Sequence, residues 1–466
     1  MVNQFLNPTF ISKAVKGYFF DVNRLWRVSE DELKNVQDNS IKKITKYAYN
    51  IPIYKKKFIE KGINPKQFLG IEEISKLPFI SKEDIRKEFP KGVIPEKKSK
   101  SQFWELHTSG STGKPCYFYR DTYGLFRDYI SAIRTIKLFD INWKKNRILF
   151  SSSSSLPGNY ATVGGKAIMK NLTSLFSLKN IKNMYGVSKD SNEKIQEINR
   201  FMPNYIYGFP QDMQLLAYIK KNGYLENVNP KLISTSGSIL DSYSRSYIEE
   251  AFQCTVADMY GSVEMSTMAC QCNEGNYHIF SDFLFLEFLD ENNSPVSFGE
   301  PGNVIATRFF GGGTPFIRYT GLDDIATPID EKCSCGLNTP LIKKIKGRIS
   351  DCIILPNGKY LTPAILIIGI HNAIEKIKTD KVKQFQIIQK SIHEVEILIV
   401  IDENQIDKPP SIEKLFKNIE QEYNILFENL IDIKIKSVKN VIKENKTYKP
   451  APLIISKINN KIDKML

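Results

Sequence analysis

Between Arg147 and Met259, short apolar runs alternate with longer segments of helical spacing, and this alternation constrains the fold more than any other feature of the chain. Arg147–Ser151 reads as a buried strand ending in the hydroxyl tract Ser151–Ser155, and Ser188–Arg200 as a polar helix. Tyr205–Phe209 reads as a strand closed by a Gly-Phe-Pro turn, followed by a helix over Gln211–Lys221. Leu232–Thr235 reads as a strand running into Ser236-Gly237, Ser242–Phe252 as a helix and Cys254–Met259 as the next strand. Strand and helix in regular succession predict an α/β architecture.

The flanks extend that frame. Residues 30–100 look helical and basic, with turn signals at Pro65, Pro78, Pro90 and Pro95. Trp104–His107 and Tyr117–Arg120 read as partner strands around a turn. Leu125–Phe139 has helical spacing, with Leu125, Tyr129, Ile130, Ile133, Ile136 and Leu138 forming an apolar stripe. From Phe283 to Ile317 short strands separated by Gly and Pro predict an antiparallel or barrel-like subdomain. After Gly347-Arg348 the character changes. Val395–Ile401 is strand-like, Ile412–Phe427 is an amphipathic helix with Ile412, Leu415, Phe416, Ile419 and Tyr423 on one face, and Ile431–Val441 is a strand. The expectation is a large N-terminal domain over 1–349, with α/β sheets and a β-rich subdomain, followed by a small α+β domain over 350–466.

A chain of 466 residues, 42% hydrophobic and 25% charged, has the composition of a soluble globular protein with more than one domain. The net charge of +14 comes mostly from lysines interspersed with acids, while arginine, the usual reader of base edges, is scarce. No nucleic-acid partner is expected, and the charge suits an anionic nucleotide. The longest apolar runs, Ile397–Ile401 and Ala364–Ile370, are too short to span a bilayer, so no membrane span is expected. Seven cysteines without a secretory leader or a disulfide framework point to a reducing, cytoplasmic setting.

The chemistry begins at Thr108-Ser-Gly-Ser-Thr-Gly-Lys-Pro115. Gly110 and Gly113 permit tight turns, consecutive backbone N–H groups make an anion-binding concavity, and Ser109, Ser111, Thr112 and Lys114 add hydroxyl donors and a positive charge. The segment reads as a phosphate cradle, and its glycine spacing is not that of the Walker loop. Met259-Tyr-Gly-Ser-Val-Glu264 follows a strand and sets a carboxylate after a tight turn, where it could hold Mg2+. Phe316-Ile-Arg-Tyr-Thr-Gly-Leu-Asp323 ends a strand with an acid able to accept from two ribose hydroxyls.

The order and spacing of these segments resemble the adenylate-forming superfamily of acyl-CoA synthetases, peptide-synthetase adenylation domains and luciferases. In particular they are similar to its phenylacetate–CoA ligase branch and the capsule-biosynthesis relatives. Lys76-Leu-Pro-Phe-Ile-Ser-Lys82 looks like the entry motif of that branch, and Pro203-Asn-Tyr-Ile-Tyr-Gly-Phe-Pro210 is similar to its substrate-side turn. The resemblance implies that Ser109, Gly110, Ser111, Thr112, Gly113 and Lys114 hold the β- and γ-phosphates of ATP. It puts Ser236 and Gly237 along the adenine and acyl pocket, Tyr260 against adenine, Gly261 and Ser262 beside the ligand, and Glu264 on Mg2+. Asp323 would bind ribose with Arg348 beside it, and Ser350 or Asp351 would be a hinge. Ser238 replaces an acid common in the family, and Gly321 sits one position early.

The family lysine that contacts the α-phosphate and the carboxylate falls in Asn445-Lys-Thr-Tyr-Lys-Pro-Ala-Pro-Leu-Ile-Ile-Ser456, where no glycine precedes either candidate. Counting back from Leu453–Ser456 favours Lys449, with Lys446 as the alternative. Cys272, His278, Cys333 and Cys335 form a three-Cys-one-His set suited to structural Zn2+, with Cys270 as a substitute ligand, and several members of the branch carry a similar set.

The implied reaction is attack of a carboxylic acid on ATP to give an acyl-adenylate and pyrophosphate, then transfer of the acyl group to a thiol, CoA first, as the small domain rotates. The alternatives are transfer to an amine by an amide-forming ligase, and a non-catalytic nucleotide-binding scaffold. The sequence leaves the oligomeric state open, a dimer included.

Overall fold

The computed structural model describes residues 7–24, 28–108, 115–152, 180–187, 191–348, 351–361, 363–379, 381–442 and 453–458. The chain divides into two compact units. One comprises Met1–Gly237 with Tyr247–Ile345, the other Ser238–Ser246 with Lys346–Leu466.

In the first unit, β1 (Trp104–His107) and β2 (Tyr117–Arg120) pair antiparallel in their own two-stranded sheet. The remaining described strands of this unit join one eleven-stranded sheet. Five run parallel: β3 (Ile148–Ser152), β4 (Ile181–Tyr185), β5 (Tyr205–Gly208), β6 (Leu232–Ser236) and β7 (Thr255–Ser262), in the order β7-β6-β5-β3-β4. The direction then reverses. β8 (Ser266–Gln271) pairs antiparallel with β7 and β9 (Tyr277–Ile279) with β8. β10 (Leu284–Leu289), β11 (Gly302–Arg308), β12 (Asp324–Ile329) and β13 (Leu341–Arg348) continue the sheet from β9 in the order β9-β13-β12-β11-β10. The short strands after Phe283 are thus antiparallel, and they extend the sheet that the βα repeats begin.

The parallel strands owe their place to burial on both faces: Leu149, Ile206, Leu232 and Ile233 are almost wholly inaccessible. The helix Thr122–Leu138 starts on an Asp121 cap, whose carboxylate accepts from the Gly124 N–H, and buries Leu125, Ile130, Ile133 and Ile136 from the predicted stripe. It also buries Arg127, Asp128 and Arg134, three charges that periodicity assigns to solvent.

The second unit is an α+β sandwich. Its sheet has the order β18-β17-β16-β19, from β16 (Val382–Ser391), β17 (Glu394–Ile401), β18 (Asp432–Ser437) and β19 (Ile454–Ser456), after a small β14–β15 pair (Ile353–Ile354 and Tyr360–Leu361). β16 and β17 form an antiparallel hairpin, and β18 and β19 pair parallel to its two outer edges. The helices Pro363–Ile377 and Ile412–Leu426 bury Leu366, Ile370, Leu415, Ile419 and Tyr423 against Ile387, Ile397 and Ile399. Their close approach requires Gly369, where a Cβ would lie 2.7 Å from Leu426 and 3.1 Å from Tyr423.

Candidate functional site

Side chains from the end of β7 and the turn after it meet the Tyr319–Asp324 segment, where the parallel half of the sheet gives way to the antiparallel half. In open α/β sheets, ligands bind off the carboxyl ends of parallel strands at such a reversal. Ser236, the last residue of β6, lies opposite Met259 of β7, and its hydroxyl is 2.5 Å from the Tyr207 hydroxyl at the end of β5. Gly237 follows at φ +81°, with a virtual Cβ 2.6 Å from the Phe209 ring, so both conformation and space demand glycine. One residue beyond Met259, Tyr260 donates its hydroxyl to Asp324 Oδ2 at 2.9 Å. This bond brings the Asp323–Asp324 turn to β7. Asp323 itself sits at φ +61°, in the left-handed region that Asp tolerates better than most side chains.

Gly261 has a local reason of its own. A Cβ there would lie 2.5 Å from the Ser266 carbonyl oxygen, so the β7–β8 bulge closes only over a glycine. Ser262 then accepts from the Met265 N–H at 3.1 Å and shapes the turn that carries Glu264. Glu264 is buried to 4% exposure, and its Oε1 accepts from the Tyr319 hydroxyl at 2.9 Å. Burial, and then the Glu264 charge, hold the Tyr319 phenol well above its ordinary pKa, so it is a neutral donor to the carboxylate. Tyr319, Arg120, Arg308 and Asp128 around this turn were not singled out by the sequence patterns. Their only signal is that Tyr319 stands in the same segment as Asp323.

Ser109, Gly110, Ser111, Thr112, Gly113 and Lys114, expected to cradle phosphates, lie outside the described residues, but the neck formed on either side of them by Thr108 and Cys116 is well defined. The Thr108 N–H donates to the Cys116 carbonyl at 3.0 Å, and the Cys116 N–H to Thr108 Oγ1 at 3.2 Å. Burial, then the negative charge of Glu264, push the Cys116 thiol up to about 11, which sets the neck within electrostatic range of the Glu264 turn. His107 contacts the Thr108 carbonyl at 3.2 Å through Nδ1. Arg348 ends β13; Asp351 begins the next described stretch and Ser350 lies outside it. Lys446 and Lys449 also lie outside the described residues.

The four predicted metal ligands converge. The donor atoms of Cys272, His278, Cys333 and Cys335 all lie within 4.8 Å of one another. Cys272 Sγ is 3.6 Å from Cys333 Sγ, and Cys335 Sγ is 3.1 Å from His278 Nε2. The thiols are free. A tetrahedral ion with metal–sulfur bonds of about 2.3 Å needs sulfur separations of roughly 3.8 Å, so the donor set fits Zn2+. Two turns build it. Gly275, at φ +77°, closes Cys272 back towards His278, and Gly336, at φ +83°, closes the Cys333-Ser-Cys335 knuckle. His278 Nδ1 lies 3.0 Å from Thr339 Oγ1, which orients the ring and leaves Nε2 to face the sulfurs. Burial pushes His278 down to about 4, so the imidazole is neutral, as a ligand must be. Cys270 lies opposite His278 in the β8–β9 pairing but is not one of the four; its thiol bonds to Thr135, and burial pushes it up to about 12.

The fold is that of the acyl-CoA ligases of the adenylate-forming superfamily. 2-Hydroxyisobutyryl-CoA ligase in its postadenylation state, solved with an acyl-AMP, matches 100% of this chain and 97% of its own at a TM-score of 0.75 and 18% identity. The same enzyme with 2-HIB-AMP and CoA in the thioesterification state covers the same shares at a TM-score of 0.62 and 19% identity. In sequence, the chain is 24% identical to Protein CapK of Staphylococcus aureus over 413 residues, 86% of this chain and 85% of that protein. It is 24% identical to the phenylacetate–coenzyme A ligase of Thermus thermophilus over 347 residues, 70% of this chain and 72% of the ligase. No protein-family model matches the chain. The chain is thus similar in fold to an acyl-CoA ligase and in sequence to Protein CapK and to phenylacetate–coenzyme A ligases.

Proposed function

We propose that this protein is an ATP-dependent, AMP-forming carboxylate ligase. A carboxylic acid attacks the α-phosphorus of ATP, pyrophosphate leaves, and the acyl group of the resulting adenylate passes to the thiol of CoA. The observation that carries this reading is the gathering of Ser236, Tyr260, Glu264 and Asp323–Asp324 at one end of the parallel strands, in a chain similar to phenylacetate–CoA ligases over 70% of its length.

Adenylation needs alignment and charge compensation more than proton transfer. Ser109–Lys114 cradle the β- and γ-phosphates, Tyr260 and Gly261 flank adenine along Ser236-Gly237, Asp323 accepts from the ribose, and Arg348 is a further nucleotide ligand. Glu264 fits a hard divalent cation: it is a buried carboxylate whose Oε1 is already oriented by a neutral phenol. Mg2+ bound there supplies charge neutralisation of the triphosphate. Lys449, with Lys446 as the alternative, supplies the positive charge shared by the acid and the α-phosphate. Cys272, His278, Cys333 and Cys335 hold a structural Zn2+ that pins the β8–β9 turn to the Cys333–Cys335 knuckle. Among the described residues no helix is long and apolar enough to cross a membrane.

The test is a pyrophosphate-release screen over aryl, fatty, amino and sugar acids, run with CoA and with amine acceptors, each product identified by mass. An acyl-CoA is the expected product. An amide formed in preference would reassign the acceptor. Tight ATP binding without pyrophosphate release for any acid would leave a nucleotide-binding scaffold.

A further inference from the structure

We infer that Arg120, Asp128 and Arg308 form a buried clasp that positions Glu264 by its main chain, an inference that rests on Glu264 being the Mg2+ ligand. All three side chains are almost inaccessible: Arg120 is 2% exposed, Asp128 6% and Arg308 4%. They come from the end of β2, the helix Thr122–Leu138 and the end of β11. Asp128 bridges the two guanidinium groups, with Oδ2 paired to Arg120 Nη1 and Oδ1 to Arg308 Nη2 at 2.7 Å. The remaining donors turn to the backbone. Arg120 Nη2 donates to the Val263 carbonyl at 3.0 Å and to the Glu264 carbonyl at 2.5 Å, and Arg308 Nη1 donates to the Glu264 carbonyl at 3.0 Å. Arg308 also holds the Gly124 and Phe310 carbonyls, both at 3.3 Å.

Two guanidinium ions and one carboxylate leave one net positive charge in a buried setting, an arrangement tolerated only when the spare donors are satisfied. Here carbonyl dipoles, that of Glu264 twice over, satisfy them. Ladder pairing of β7 with β8 ends at Ser262 and Ser266, so Val263–Met265 are not fixed by the sheet. The clasp does for the main chain of this turn what Tyr319 does for the Glu264 side chain. A ligand held from both ends is pre-organised for a cation, and a slackened one must be reordered at each binding event.

The clasp is tested by varying Mg2+ at fixed ATP and acid, and by measuring Mn2+ binding by electron paramagnetic resonance in the presence of a non-hydrolysable ATP analogue. Arg308→Lys keeps the charge and loses the fork. Its Mg2+ half-saturation and Mn2+ dissociation constant rise roughly tenfold, the loss expected for one charge-assisted hydrogen bond, while kcat at saturating Mg2+ and the acid KM stay within about threefold. A fall in kcat or in thermal stability with both metal constants unchanged overturns the clasp. Where Arg308→Lys does not fold, Arg120→Lys, which leaves the Arg308–Asp128 pair in place, carries the same comparison. If the unsubstituted protein releases no pyrophosphate with any acid, the functional reading fails. The Mn2+ arm then still decides the clasp: weaker binding in the variant supports it, and unchanged binding overturns it.

Discussion

Tyr319 and Glu264, 55 residues apart in the chain, meet through a 2.9 Å hydrogen bond in which the phenol donates to the carboxylate. The bond gives a buried acid a neutral donor that compensates part of its lost hydration. Tyr319→Phe removes that donor and nothing else. Acid-dependent pyrophosphate release is expected to fall about tenfold, with higher Mg2+ required, since a hydrogen bond to a charged group is worth about 1.5–3 kcal/mol. Glu264→Gln, which removes the charge itself, is expected to cost on the order of a hundredfold or more. Steady-state assays over a Mg2+ series check both.

The Cys272, His278, Cys333 and Cys335 set predicts one equivalent of zinc per chain by elemental analysis of protein purified without added metal. Cys335→Ser is expected to release it and to lower Tm by several degrees, because metal binding at a structural site adds directly to folding stability. Cys270→Ser is expected to leave the zinc content unchanged. Protein without zinc, whose stability is indifferent to Cys335→Ser, would remove the site.

Asp282 makes a two-pronged ion pair with the buried Arg134, at 2.8 Å from Nη1 and 2.6 Å from Nη2. Burial alone would raise its pKa, but the Arg134 charge and hydrogen bonds outweigh burial and hold it below the ordinary carboxylate range. A depressed folded pKa means that its contribution is fully present above the unfolded value of about 3.9 and is lost as pH falls through the folded value. At neutral pH, Asp282→Asn is expected to cost about 3–5 kcal/mol by stranding Arg134. Denaturant titrations should show the gap to the unsubstituted protein narrowing only below about pH 4.

Lys449→Ala is expected to suppress adenylation far more than ATP binding, and Lys446→Ala to have a minor effect. Single-turnover adenylate formation alongside equilibrium ATP binding separates the two. The reverse pattern would move the role to Lys446.

Much of this architecture is written in local pattern. The helix Ser242–Phe252 and the strands around it follow from apolar spacing and the turn residues between them, and the Cys/His set is legible because its ligands come in two short-range pairs. What periodicity misreads is the helix Thr122–Leu138. Arg127, Asp128 and Arg134 look like its wet face, yet each is buried. Their partners Asp21, Arg120, Asp282 and Arg308 lie on other elements, and Asp21 and Asp282 are 106 and 148 residues away. Charge pairing across such separations leaves no trace in a local window. The same holds for Thr339 behind His278, and for Tyr319, whose hydroxyl matters only because a distant turn delivers Glu264 to it. The antiparallel strands after Phe283 were recognisable as strands, but their continuation of the parallel sheet depends on the reversal between β7 and β8, which only the paired registers reveal.

The most direct test is exchange of radiolabelled pyrophosphate into ATP, measured with each candidate acid in the absence of any acceptor. Adenylation alone predicts exchange that requires both the acid and Mg2+, falls about a hundredfold or more in Glu264→Gln, and needs no CoA. Exchange that is absent across all acid classes, in protein that binds ATP, would contradict the account.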